Sequence, residues 1–189
     1  MAQGQAGYFT YKQALEVGYS SRLQHYHARR GHWHRIERGL YRLPEIPPSR
    51  HEDLVRWTLW SRWKAVVSHE TAAAVLELGD VMPARIHLTV PPGFRKAIPP
   101  SIAVHRVRLA DHESRPSDGF RVTTPLRTII DLVQFGMESD RLAAVIRDAI
   151  DKGAVRRAAL DAEVAKLDVG QRDRAQRLLT LAEEKRRAL

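Results

Sequence analysis

The chain contains no cysteine. That absence removes disulfide scaffolds, thiolate zinc sites, thiol nucleophiles and cysteine-held iron–sulfur clusters from consideration. Acidic residues are in the minority, 22 against 31 Lys+Arg, which leaves a formal net charge of +9 and makes a polyanion the first partner to consider. No run approaches the roughly 20 apolar residues that cross a bilayer. The opening residues also lack the basic-then-apolar pattern of a secretory signal, so a soluble cytoplasmic protein with no membrane partner is expected. What is present is a globular composition, 43% hydrophobic and 28% charged over 189 residues, enough for one ordinary domain or two small ones.

The positive charge is unevenly spread. Residues 1–50 carry eight Lys/Arg against three Asp/Glu, an excess of five, whereas residues 51–135 (11 against 9) and 136–189 (12 against 10) each have an excess of two. Within residues 20–42, Arg22, Arg29, Arg30, Arg35, Arg38 and Arg42 stand against Glu37 alone, with His25, His27, His32 and His34 between them.

Local signals give this basic stretch a shape. Thr10 with Gln13 three residues on is a capping box that opens a short helix ended by Gly18. Ser20 caps a second helix that Gly31 stops, with Leu23 and Tyr26 assigned to the core. Two short helices joined by a glycine-containing turn match a helix-turn-helix, and the apolar residues flanking Arg38-Gly39 predict a β-hairpin wing behind it. The second helix of such a motif enters the major groove N-terminus first. On that basis Ser20, Ser21, Arg22, Gln24 and His25 are expected at base edges, and Arg29, Arg30, Arg35 and Arg38 at phosphates of double-stranded DNA. Arg22 suits guanine and Gln24 adenine, each pair worth roughly 1–3 kcal/mol of discrimination. Six neutralised phosphates would give a log–log salt slope of about −5. The four nearby histidines are not expected to bind metal, because His25 and His27 point to different helix faces and His32 and His34 share a strand face without carboxylate company.

The proline-rich residues 44–48 read as a linker, which predicts a DNA-binding domain over 1–46 and a second domain over 49–189. In the latter, Ser49 with Glu52 suggests another capping box, and Ser68 or His69 opens a helix. Strands are expected over 86–90, 102–107 and 120–123. Thr124 followed by Pro125 starts a further helix, and beyond Gly136 the pattern is helical, with Leu142, Val145, Ile146, Ala149 and Ile150 spaced as a core stripe. The fold class is therefore α+β: an N-terminal winged helix-turn-helix followed by a mixed α/β domain with a mostly helical C-terminus.

His69, Glu70, His87, His105, Arg127 and Asp131 are the polar residues of this second domain that invite suspicion. Their spacing offers no His pair at i, i+4, no closely spaced carboxylate pair and no phosphate loop. The simpler assignment places His69 and Glu70 in the first turn of a helix and pairs Arg127 with Asp131 at i, i+4. No catalytic residue, metal ligand or cofactor is expected. The rival is a DNA- or nucleotide-processing enzyme targeted by the winged helix, which requires these polar residues to converge on one cleft. The basic positions of the tail, Arg172, Arg174, Arg177, Lys185, Arg186 and Arg187, read as a solvated helix or as contacts to DNA flanks.

Five stretches, GYFT at 7–10, RGLYRL at 38–43, SHETA at 68–72, IHLTVP at 86–91 and VTTPLRTIIDL at 122–132, occur in an order that resembles the AbiEi family of antitoxins over roughly residues 7–135. The resemblance implies an N-terminal winged helix-turn-helix that represses its own toxin–antitoxin operon. It also implies a C-terminal domain that neutralises a nucleotidyltransferase-like toxin in a type IV system, without a stable complex, as part of abortive-infection phage defence. In that domain His69, Glu70, Arg127 and Asp131 are the candidate residues.

Overall fold

In the computed structural model, which describes residues 2–187 (Lys185 and Arg187 as backbone only), the chain divides into two compact units. The first comprises Met1–Ala65 with Pro116–Arg121, and the second Val66–Arg115 with Val122–Leu189.

In the first unit, a strand β1 (Tyr8–Thr10) leads into helix α1 (Tyr11–Glu16), and the turn at 17–20 leads into α2 (Ser21–Arg29). Thr10 and Gln13 form the expected capping box, and the Ser20 side chain accepts from Leu23 N–H. The wing is β2 (His34–Glu37) and β3 (Leu40–Arg42), antiparallel, turning at Gly39 with φ +78°. β1 pairs antiparallel with β3, Phe9 opposite Tyr41, so the sheet order is β1-β3-β2. β1 carries no sequence signal of its own: three residues are too short for a period-2 pattern. Phe9, Ala14, Trp33 and Tyr41 make the core of this winged helix. A third helix, α3 (Glu52–Trp60), is grouped with it. The contact division between units falls after Ala65, past the proline-rich residues 44–48. The second capping box is absent. His51 occupies the N-cap position without a side-chain bond.

The second unit is built on a five-stranded sheet of order β6-β5-β4-β8-β7, from β4 (Val66–Val67), β5 (Ile86–Val90), β6 (Ile102–Arg106), β7 (Ser114–Pro116) and β8 (Arg121–Thr123). β5 and β6 run parallel, with Thr89 opposite His105; β4 is antiparallel to β5 and parallel to β8. Helix α4 (His69–Val75) follows β4, and α5 (Pro125–Phe135) starts at a Thr124 cap with Pro125 in its first turn and ends at Gly136, φ +87°. Three more helices complete the unit: α6 (Ser139–Asp151), α7 (Arg157–Val164) and α8 (Val169–Arg187). Leu142, Val145, Ile146 and Ala149 of α6 are fully buried with Ile129 and Leu132 of α5, as the helical spacing predicts. No helix among the described residues is long and apolar enough to cross a membrane.

Candidate functional site

The face that α2 presents to solvent is set by one inward residue, Gln24, which is 1% exposed. Its Nε2 donates to Tyr11 O at 3.2 Å and Tyr19 O at 2.9 Å, tying α2 to α1 and to the intervening turn. This overturns the assignment of Gln24 to an adenine edge, since a side chain buried to 1% exposure, its amide donors turned to two backbone carbonyls, cannot reach a base. Leu23 and Tyr26, expected in the core, are instead 39% and 48% exposed. The rotation has a physical cause. The Tyr19 carbonyl lies in the turn between the helices, outside any helical ladder, and is costly to bury without a donor; the Gln24 amide supplies one and ties down the first turn of α1 through Tyr11 O as well, where leucine could do neither.

With Gln24 inward, Arg22, Tyr26 and Arg29 lie at i, i+4, i+7 on the outward side, with His25 beside them. Ser20 and Ser21 are exposed at the helix start, where the Ser21 hydroxyl lies 2.5 Å from Tyr11 OH. Arg35 and Arg38 project from the wing, and Arg30 lies over the Tyr26 ring at 5.5 Å. Arg22, Arg29, Arg30, Arg35 and Arg38 are all exposed and make no ion pair among the described residues. His27 and His32 meet through Nδ1 atoms 3.2 Å apart; His32 precedes β2, so it shares no strand face with His34. Replacing Gln24 with alanine is expected to lower the stability of this unit by about 1–3 kcal/mol, the cost of leaving buried carbonyls unsatisfied. The base preference of any DNA it binds should not change, and a selection of bound sequences with wild type and variant checks this.

The second unit separates the suspected polar residues into two groups. Arg127 donates through Nε to Asp131 Oδ1 at 2.8 Å, the expected i, i+4 pair, and its Nη1 lies 2.7 Å from Glu113 Oε1. Asp131 is 3% exposed and its Oδ2 has no hydrogen-bond partner. Burial of that oxygen outweighs Arg127, whose charge is shared with Glu113, and pushes the Asp131 carboxyl from 3.8 up to about 6. A raised carboxyl pKa stabilises the fold below the unfolded value and ceases to do so as pH rises through the folded one. At about 1.4 kcal/mol per pH unit, the stability lost on Asp131→Asn should be greater at pH 3.5 than at pH 8 by up to roughly 3 kcal/mol. Urea unfolding at the two pH values measures it.

The other group is a histidine cluster that spacing does not reveal, because its members come from three separate elements. His69 opens α4, His87 lies on β5 and His105 on β6. The rings of His69 and His105 stack with centroids 3.5 Å apart, and His87 Nδ1 is 3.1 Å from His105 Nε2. One nitrogen from each of the three lies within 4.8 Å of the others. Phe135, at the end of α5, stands at right angles to all three rings at 5.3 to 5.5 Å. Burial disfavours the imidazolium at every member, and repulsion from neighbouring histidines adds to it at two: His69 is held down to about 2 and His105 to about 4, while His87 is lowered by burial, opposed by Glu70 and aided by Arg85. The cluster therefore presents neutral imidazoles with available lone pairs. Glu70 is half-buried and reaches Arg141 at 3.7 Å. On α8, Arg172 donates to Leu167 O, Arg174 to Met137 O, and Arg186 pairs with Asp151; the side chains of Lys185 and Arg187 lie outside the described residues.

Comparison with known proteins agrees with this two-part construction. Residues 2–44 match the family described as "transcriptional regulator, AbiEi antitoxin". A crystal structure, that of the RV2827C protein from Mycobacterium tuberculosis, is similar with a TM-score of 0.64 at 16% identity, covering 93% of this chain and 72% of that one, a likeness of fold. No curated protein matches the sequence. Residues 65–181, more than half of the chain and most of its second unit, match the AbiEi antitoxin C-terminal domain, and on this ground the chain belongs to the AbiEi antitoxin family.

Proposed function

We propose that this protein is an autoregulatory, non-enzymatic antitoxin whose winged helix binds the operator of its own toxin–antitoxin operon in the cytoplasm. The observation that carries this is the outward side of α2, where Arg22, His25 and Arg29 stand free of acidic partners beside the wing arginines Arg35 and Arg38. Ser20, Ser21, Arg22 and His25 read base edges in the major groove. Arg29, Arg30, Arg35 and Arg38 hold phosphates and set register. Tyr26, exposed between Arg22 and Arg29, adds an apolar surface of the kind that meets a thymine methyl. The second unit counteracts a nucleotidyltransferase-like toxin without forming a stable complex with it, and neither activity requires a cofactor. Of the four candidate residues of that unit, Glu70 and Arg127 keep some exposure and would address the toxin or its target, while the buried His69 and Asp131 would act by holding the unit's shape.

Binding to the DNA upstream of the gene, followed by fluorescence anisotropy across salt concentrations, tests the first half. A log–log slope of about −4, from the four phosphate-holding arginines, and preference over unrelated DNA are expected. A flat salt response or indifference to sequence excludes the reading. For the second half, co-expression with the neighbouring toxin gene should restore growth without co-purification of the two proteins. Unrelieved growth arrest contradicts it.

A further inference from the structure

We propose that His69, His87 and His105 form a binding site for one divalent transition-metal ion of the zinc class. Three imidazoles and no thiolate are the ligand set that suits zinc, cobalt or nickel, and three protein ligands leave one coordination position open for water. The nitrogens already converge within 4.8 Å, and the His87–His105 pair stands at 3.1 Å. A tetrahedral ion with bonds near 2.05 Å needs nitrogens about 3.3 Å apart, so closing the set requires movements of about an ångström. The near-parallel stack of His69 on His105, 14° between planes, has to open on loading, because an imidazole lone pair lies in its ring plane. Rotation about χ2 accomplishes this without moving the backbone.

Three independent features distinguish this cluster from ordinary core packing. One of its rings is held from behind: Ser68 Oγ lies 3.0 Å from His69 Nδ1 and itself accepts from Thr89 Oγ1 at 2.8 Å, so that Nδ1 is engaged and Nε2 is the ring nitrogen left for an ion. His69 also holds φ at +52°, in the left-handed region that costs a side-chain-bearing residue about 1 kcal/mol or more. The other four non-glycine residues with positive φ fall in turns or bends, whereas His69 stands at the start of a helix. Finally, Phe135 stands at right angles to all three rings and gives the cluster an apolar side. The three ligands bring together α4, β5 and β6, so an ion here would add a clamp to the packing, the sheet pairing and the His87 N–H to Thr71 Oγ1 bond that already join them.

The test is titration of the metal-stripped full-length protein with cobalt(II), followed by its visible d–d absorption, and competition by zinc. One equivalent should bind with the intensity of a four- or five-coordinate ion and be displaced by zinc, with a rise in unfolding temperature. His105→Gln, at a half-exposed strand position, should weaken binding at least ~100-fold, and Ser68→Ala, which removes only ring support, about 10-fold. His32→Ala, which removes the exposed histidine pair of the first unit, should leave the titration unchanged. Absence of a stoichiometric cobalt spectrum in the wild type overturns the proposal whether or not the variants fold. So does a His105→Gln protein that binds as tightly as wild type, or a spectrum lost in His32→Ala.

Discussion

Replacing Trp33 with alanine is expected to abolish operator binding by unfolding the winged helix, although Trp33 touches no DNA in the proposed complex. The indole is 7% exposed and is the hub of the small aromatic core. Phe9 meets it edge-on at 4.7 Å, Tyr19 at 4.9 Å, His27 stacks on it at 5.0 Å and Tyr41 lies at 5.6 Å. Truncating a buried tryptophan costs about 3–5 kcal/mol, and aromatic pairs add roughly 0.5–1.5 kcal/mol each. A core of four buried side chains has little surplus to absorb that loss. His27 belongs to α2, so loss of the indole releases the helix whose outward side carries Arg22 and Arg29. Amide hydrogen exchange measures the effect: protection should vanish over residues 8–42 and persist over 125–182. Retained protection in α2 would show that Trp33 is not the hub. Trp33→Phe, which keeps a ring in place, should recover most of the lost stability.

A comparable loss is expected in the second unit from a single methyl group. Gly79, φ +52°, lies against α6, and a Cβ there would sit 2.7 Å from Val145 N, 2.9 Å from Val145 Cγ2 and 3.0 Å from Ala144 C. Two of those atoms are backbone, and α6 cannot retreat because Leu142, Val145, Ile146 and Ala149 are at most 1% exposed. The Gly79 N–H also donates to Asp148 Oδ2 at 2.9 Å, a bond that any displacement lengthens. Gly79→Ala should therefore cost about 3 kcal/mol, the upper range for overpacking a filled core. Gly153→Ala is the control: its φ is +65° but nothing lies within 4 Å of the added Cβ, so only left-handed strain of about 1 kcal/mol remains. Urea unfolding of the pair separates the effects. Equal losses would mean that the contact with α6 is yielding.

The two residues also show what the sequence discloses. Trp33 is legible as wing core because it is one of the apolar residues, with Ile36, Leu40 and Tyr41, that flank the Arg38-Gly39 turn. Gly79 is legible only as a helix stop, since its close neighbours are about 65 positions away. The same division runs through the chain. Caps at Thr10, Ser20 and Thr124 and the Arg127–Asp131 pair are contacts between residues at most four apart, and each is found where expected. Strands of two or three residues, β1, β4 and β7, leave no period to read. The facing of α2 fails for a different reason. Hydrophobicity alone sends Leu23 and Tyr26 inward, whereas the unit selects Gln24, whose amide serves the Tyr19 carbonyl of the turn and reaches Tyr11 O of α1. The histidine cluster is the least visible feature. Its members are 18 residues apart in turn and become neighbours through the parallel register of β5 and β6 and the return of α4 across them.

Footprinting on the DNA upstream of the gene decides whether the outward side of α2, free of acidic partners, reads an operator. The wild-type protein should protect a defined, salt-sensitive segment. Arg22→Ala should keep binding DNA but lose selectivity by about 1–3 kcal/mol at one base position. Arg29→Ala should weaken binding to all sequences alike and reduce the salt slope by about 1. A wild-type protein that leaves no sequence-selective footprint contradicts the account; a reversed pattern in the two variants contradicts the facing of α2.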